Sequence, residues 1–433
     1  MTGFIPTDTS PSRPELFPEE TFRGLLEELF PICRTQCGEG VRDTLRILQR
    51  FIPLQVHEVP TGTSVFDWTV PPEWNVRDAW VATPMRGRVI SFRECNLHVV
   101  FGSVPVSGSM TWDELRPHLH MDAHRPESIP YRTAYGRQTW GFCLTQSQYE
   151  QLESEKDQRF DVEINAEYRS GSLTYGEAFL AGSSSQECLL HTHTCHPSLA
   201  NDNLSGLLVQ TALYTLLSRE PRRYSYRFLF APATIGAITW LARNQPLWDR
   251  IHHGLILTCL GDRGPLTYKL SRSGSAPTDR VARYWNAVDS PTVNLRPFEP
   301  FGYDERQFCS PGINLPVGRL TRTPNGEFPE YHTSDDNLSL LHLPSLQDSL
   351  ASVLQMLEAI EADTAWRNTR PCCEPRLDRY DLYSAHASGH VDVPLQRAVQ
   401  WVLNLSCGQH TLLDIAERSR LPIPLIIKAA CLL

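Results

Sequence analysis

Apolar residues first recur at helical spacing near the start of the chain. Leu25, Leu26, Leu29 and Phe30 follow that spacing, then Val41, Leu45, Leu48 and Ile52, which predicts helical structure between Pro18 and Ile52. The polar, proline-rich residues 1–13 read as a loose tail. From Phe66 to Val106 the texture changes to short alternating runs rich in Val, Trp and Phe, broken by Pro and Gly; Trp80-Val-Ala, Val89-Ile-Ser-Phe and Leu97-His-Val-Val-Phe read as strands. Residues 61–165 are therefore read as a β-rich module, with Phe66, Trp68, Trp74 and Trp80 in its core.

An α/β rhythm follows. Glu187-Cys-Leu-Leu is a short buried strand, and Leu204 to Leu217 an apolar helix with Asn203 as its expected cap. Tyr226-Arg-Phe-Leu-Phe-Ala is a second strand, Ile235 to Ala242 a helix, and Gly254-Leu-Ile-Leu-Thr-Cys-Leu a third strand. Strands separated by single helices imply a parallel or mixed sheet covered on both faces, with ligands at the carboxyl ends of its strands. Past Pro371 the pattern changes again. A helix from Leu395 to Leu405, then Thr411 to Ser419 and Leu425 to Ala430 around a Pro-containing turn, resembles helix–turn–helix.

Composition narrows the function classes. The 433 residues suggest two or three domains, and 41% hydrophobic residues suffice for packed cores. A net charge of −9 speaks against a general nucleic-acid binder. The last helix, Pro424 to Leu433, carries one cation, Lys428, and the chain ends before a wing would follow it, so a packing or protein-contact role is expected there rather than DNA reading. No run approaches the roughly 20 apolar residues of a membrane span, and the N-terminus has no signal-peptide pattern, so the expected location is cytoplasmic. The twelve cysteines, irregularly spaced, read as reduced thiols.

Chemistry concentrates in His191-Thr-His193-Thr-Cys-His196-Pro-Ser-Leu-Ala-Asn-Asp202. Imidazole and carboxylate at a strand end suit Zn²⁺, although a polar loop of hydrogen-bonded histidines would read the same way. Tyr331-His332-Thr-Ser-Asp335-Asp336 supplies a distant further ligand. Tyr268 and Arg272 in "YKLSRSG" are candidates for holding a substrate carboxylate, as are Arg306 and Tyr331 for contacting substrate; Asp304 or Glu305 would suit a substrate amino group. Each of these reads equally as an ordinary ion pair.

Taken in order, "HTCHPSLANDNLSG", "YRFLFAPATIGA", "ILTCLGD" and "YHTSDDN" resemble the metal-site motifs of the co-catalytic zinc aminopeptidase clan, which also contains glutaminyl-cyclase-like and transferrin-receptor-like members. With "VFDWTVPPEWNVRDAW", "IPYRTAYGRQTWGFC", "LTYGE" and "YDERQFCSPGINLPVGRL" added, nearly the whole chain resembles a bacterial family of aminopeptidase-like proteins found near polysaccharide or natural-product biosynthesis genes. The resemblance implies an α/β fold: an aminopeptidase-like mixed sheet flanked by helices (1–60 and 166–370), an inserted β-rich module (61–165) and a small C-terminal winged-helix-like domain (376–433). It implies His193 and His332 as zinc ligands and Asp202 as the bridging carboxylate. His196 belongs to the close family's "CHP" and is either a ligand or a donor behind one, and Asp262 is a candidate for the second-metal aspartate. Cys195 stands where the clan has an aspartate that orients the histidine.

The chain departs from the pattern at "PATIG", which the close family writes with a glutamate. The clan's general base is here Ala233, and Thr234 stands where a second zinc-ligating glutamate is common. Alanine accepts no proton, so natural loss, repurposing and an engineered change are all open, and one zinc ion is favoured over two. The expected function is a zinc-dependent hydrolase-like protein acting on a small amide or aminoacyl substrate. The alternatives are an inactive ligand- or partner-binding pseudo-hydrolase and a transferase or cyclase. A homo-oligomer is left open.

Overall fold

The computed structural model describes residues 16–288, 293–380, 382 and 393–433. The expected tail at 1–13 lies outside them. The main sheet has eight strands: β1 (Gln55–Pro60), β2 (Ser172–Leu180), β3 (Glu187–His193), β4 (Ser225–Ala231), β5 (Ile251–Leu257), β6 (Leu266–Lys269), β7 (Val293–Arg296) and β8 (Val317–Thr321). Their spatial order is β1-β2-β4-β3-β5-β8-β6-β7. The centre, β4-β3-β5-β8, is parallel throughout, while β1-β2, β2-β4 and β8-β6 pair antiparallel. The mixed sheet expected from the α/β rhythm is thus present.

Strands β3 and β4 are buried along their whole length, as parallel strands covered on both faces must be. Successive residues serve opposite sides. Leu190, Phe228 and Leu255 join the apolar cluster under helices Ser205–Leu217, Pro277–Val288 and Leu343–Ala362. Leu189, Leu229 and Ile256 join the cluster under helix Ile235–Arg243. The two helices predicted before Ile52 are Glu19–Leu29 and Glu39–Leu48, each burying the apolar stripe read from the sequence.

Between β1 and β2 the chain builds a four-stranded antiparallel sheet, ordered Gly87–Ser91, Glu73–Thr83, Phe160–Arg169, Val106–Met110. It has its own apolar cluster around Trp74, Phe101, Phe142 and Phe160. Only one of the four aromatics expected in that core is there. Trp74 is buried, but Phe66 and Trp68 are 51% and 55% exposed, and Trp80 lies half-buried beneath the Arg88 guanidinium. The reason is local: Phe66 turns the tight hairpin Ser64–Val65/Trp68–Thr69 with φ 55°, which points the pair outward.

The C-terminal helices are Val393–Leu405, Leu412–Ser419 and Ile423–Leu432. A two-stranded ribbon accompanies them, but it pairs Ala365–Arg367 with Cys407–Thr411 rather than following the last helix. The unit is bound to the main domain. Leu412, Ile415, Ile426 and Ala429 share the large apolar cluster with Val281 and Met356, and Arg280 reaches Asp414 at 2.6 Å and Glu417 at 3.1 Å. No described helix is long and apolar enough to cross a membrane.

Candidate metal centre

Strand β3 ends at His193 at the carboxyl edge of the sheet centre, and the chain then loops through His196 into an irregular turn, Ala200–Leu204. Helix Ser205–Leu217 starts hard against the strands. A Cβ on Gly206 would lie 2.5 Å from Thr192 Oγ1 and 2.6 Å from the Leu257 carbonyl, so only glycine permits this approach. The close packing presents Asp202 to the end of β3. Asn203 does not cap the helix as expected: its amide lies 2.7 Å from Thr192 Oγ1, 3.1 Å from the His193 carbonyl and 3.3 Å from His193 Nδ1, while Oδ1 accepts the Cys259 N–H. It ties the turn to β3 and its neighbour. Asp336 fixes the turn from the other side by accepting the backbone N–H groups of Ala200, Asn201 and Asp202 at 2.6–3.1 Å. Burial, with Asp202 nearby, pushes Asp336 up to about 7.

Three imidazoles converge on the buried Asp202 carboxylate. His193 Nε2 lies 2.9 Å from Oδ1, His196 Nδ1 lies 3.3 Å from the same oxygen, and His332 Nε2 lies 3.1 Å from Oδ2. His193 Nε2 and His196 Nδ1 are themselves 2.9 Å apart. One ligand atom from each of His193, His196 and Asp202 falls within 4.8 Å of the others. Burial alone would raise Asp202, but the facing imidazoles outweigh it and hold the carboxyl well below its usual range. Burial pulls His193 and His332 below the usual imidazole range, Asp202 only partly offsetting it. Ionised carboxylate and neutral imidazole are the states a metal ion requires. Three nitrogens and a carboxylate meeting at one buried point fit Zn²⁺.

Aromatic rings wall this point. Tyr303 stacks on His193 at 4.8 Å, Tyr331 on His332 at 3.9 Å, and Tyr131 meets His196 and His332 edge-on at 5.5 and 5.1 Å. Tyr131 arrives from between β1 and β2; its N–H donates to the His332 carbonyl at 2.7 Å. Sequence reasoning missed Tyr131, because nothing in "IPYRTAYGR" marks its distance in space from the histidines. Arg34 was missed too. It is 1% exposed, and its Nε donates to the His196 carbonyl at 2.8 Å.

The remaining predicted residues sit elsewhere. Asp262 is saturated by Asn201 Nδ2, the Gly264 and Thr323 N–H groups and the Thr323 hydroxyl, at 2.6–3.2 Å, and stands outside the cluster, so its expected metal role has no free lone pair behind it. Tyr268 is a core residue whose hydroxyl donates to Asp279 at 2.9 Å. Arg272 is exposed and donates to Asn314. Glu305 is buried, with Oε1 paired to Lys269 at 2.9 Å and Arg319 at 3.3 Å and Oε2 without a partner. Asp304 lies 2.7 Å from His191 Nε2, and Arg306 beside it is half-buried. Of the substrate candidates only Tyr331 reaches the cluster. Ala233 precedes helix Ile235–Arg243, and its carbonyl accepts the Cys195 thiol at 3.5 Å. Burial pushes that thiol up to about 12, so it stays protonated where the resemblance implies an aspartate.

This sheet and its strand-end cluster define an aminopeptidase-like α/β protein. At the level of fold it is similar to BSAP, a zinc aminopeptidase from Bacillus subtilis (13% identity, 78% of this chain and 93% of that one, TM-score 0.55), and to a peptidase M28 precursor from Shewanella amazonensis (12% identity, 78% and 92%, TM-score 0.53). Residues 23–363 match the family described as Domain of unknown function (DUF4910), and the chain belongs to it; residues 364–433 match a winged helix-turn-helix. A Clostridium acetobutylicum relative, provisionally named a polysaccharide biosynthesis protein with aminopeptidase-like domain, is 47% identical over 396 residues, 91% of this chain and 90% of its own. A crystal structure from the same organism, provisionally named a peptidase, matches with TM-score 0.88 at 44% identity, covering 95% of this chain and 94% of that one.

Proposed function

We propose that this chain is a zinc-dependent hydrolase-like protein acting on an amide or aminoacyl bond of a small biosynthetic intermediate. One observation carries the reading: three imidazole nitrogens meet a single buried carboxylate at the end of β3. His193, His196, Asp202 and His332 would hold the ion. Zinc bound there would polarise the amide carbonyl and activate a water. The chain's own groups set the conditions for this. Asp202 keeps its negative charge, the rings of Tyr131, Tyr303 and Tyr331 pack on the imidazoles, and Asp336 and Asn203 fix the turn. The polysaccharide-biosynthesis name of the relative supports a small biosynthetic substrate.

What the site lacks is a proton acceptor at position 233. A missing general base costs about 10²–10⁴ in rate, so the second reading, a pseudo-hydrolase that binds without turnover, follows from the same residue. Metal analysis of the purified chain and of Asp202→Ala, with hydrolysis of leucine p-nitroanilide by the chain and by Ala233→Glu, separates the two. The hydrolase reading expects bound zinc, lost in Asp202→Ala, and a rate that rises by about 10² or more in Ala233→Glu. Bound zinc with no turnover in either form favours the pseudo-hydrolase, and a chain that takes up no zinc ends both.

A further inference from the structure

A cleft of about 700 Å³ opens between the inserted sheet and the segment that joins the first two helices. Gln36 and Cys37 of that segment line it with Tyr135, Arg137, Gln138 and Tyr168, and four residues of its wall are Pro71, Pro72, Pro105 and Val104. No carboxylate lines it. Arg137 is exposed, and among the described residues no carboxylate pairs with its guanidinium.

The segment between the first two helices carries a second cation. Arg34, two residues before Gln36, spends Nε on the His196 carbonyl and Nη1 on the Leu29 carbonyl at 2.7 Å, while Nη2 is buried with no partner. No carboxylate pairs with Arg34 among the described residues either. An unpaired buried charge is costly. The Tyr135 hydroxyl is buried and lies against the backbone N–H of Gln36 without completing a hydrogen bond. The segments that line the cleft also reach the metal centre: Tyr131, four residues before Tyr135, packs on His196 and His332, and Arg34 holds the His196 carbonyl.

In a chain of net charge −9, Arg137 gives this cleft a cation, and no acid lines it. The two glutamines offer amide donors and acceptors suited to hydroxyls, and the prolines and the Tyr168 ring offer apolar faces. We propose that the cleft binds a small polyhydroxylated anion, a sugar acid or sugar phosphate, with its charged group paired to Arg137 and facing Tyr135. The proposal rests on the hydrolase reading only in making this molecule the non-reacting part of the substrate; binding itself needs no metal.

Calorimetric titration of the full chain with glucuronate, glucose 1-phosphate and glucose tests it. At least one anion is expected to bind and glucose not to, with the responding anion telling carboxylate from phosphate. Arg137→Gln should weaken that binding roughly tenfold or more, the loss of one charged hydrogen-bond pair. Arg132→Gln, on the same segment, exposed and outside the cleft, should leave it unchanged. Absence of binding by both anions, glucose binding as well as they do, or an unaffected Arg137→Gln would each overturn the proposal. Zinc uptake, measured separately, keeps the two readings apart: uptake without anion binding sinks only the cleft, and anion binding without uptake sinks only the metal centre.

Discussion

Asp202 is surrounded by groups whose charge depends on its own. With the carboxylate ionised and three imidazoles facing it, the cluster presents one negative charge and several lone pairs to a cation. Positioning matters as much as ligation. Asn203 holds His193 by its ring nitrogen and carbonyl, and such partners typically contribute about 10–100-fold to metal affinity. We expect Asn203→Ala to lower zinc affinity by that order, read by competition with a chelator; unchanged affinity would show that His193 needs no such support. Cys195 makes a chemical prediction. Buried and held up to about 12, it should resist iodoacetamide at pH 8 in the folded chain and react only after unfolding, as mass spectrometry of the labelled peptide would report.

Among the elements, β3 and β4 carry the packing. Leu190 is fully buried on the face that meets the long helices, so Leu190→Ala should cost about 2–5 kcal/mol in denaturant unfolding. Phe66, half in water at its hairpin tip, should cost within about 0.5 kcal/mol when changed to Ala. Glu73 joins the first strand of the inserted sheet to helix Glu39–Leu48 through Arg42 and to strand Phe160–Arg169 through Arg169. Burial would raise its carboxyl, but the two guanidiniums and the Ser172 N–H bring it down to about 2 from 4.5. A folded value below the unfolded one means stability present above pH 4.5 and lost as pH falls towards 2. Glu73→Gln should therefore destabilise the chain by roughly 3 kcal/mol at pH 7 and much less near pH 2. Urea unfolding at the two pH values checks this; an equal loss at both would refute it.

For the molecule as a whole, the C-terminal unit is a cover as much as a domain. Its helices share one apolar cluster with helices Pro277–Val288 and Leu343–Ala362, and Tyr284 donates to the Leu421 carbonyl at 2.6 Å. Removing residues 364–433 should expose that surface, seen as increased binding of a hydrophobic dye and a lower melting temperature. A truncated chain that melts unchanged would mean that the contact contributes little. The docked arrangement also explains why the last helix has so apolar a sequence. Ile423, Ile426, Ala429 and Ala430 are buried.

Local pattern was enough for the elements themselves. The helical stripes before Ile52 and the buried runs of β3 to β5 follow from spacing that short-range physics imposes, namely 3.6-residue periodicity and strands covered on both faces, while the order of the metal motifs was legible through family resemblance. Tertiary structure alone decided which polar groups are free. Asp262 and Tyr268 resemble site residues in sequence, yet each is satisfied by a partner that chain folding brings from elsewhere: Thr323 and Asp279. Tyr131 and Arg34 carry no local mark and reach the histidines across 201 and 162 residues of chain. Periodicity reports what a residue does within one element; whether its lone pair or charge remains unspent depends on neighbours distant along the chain, and those exist only once it has folded.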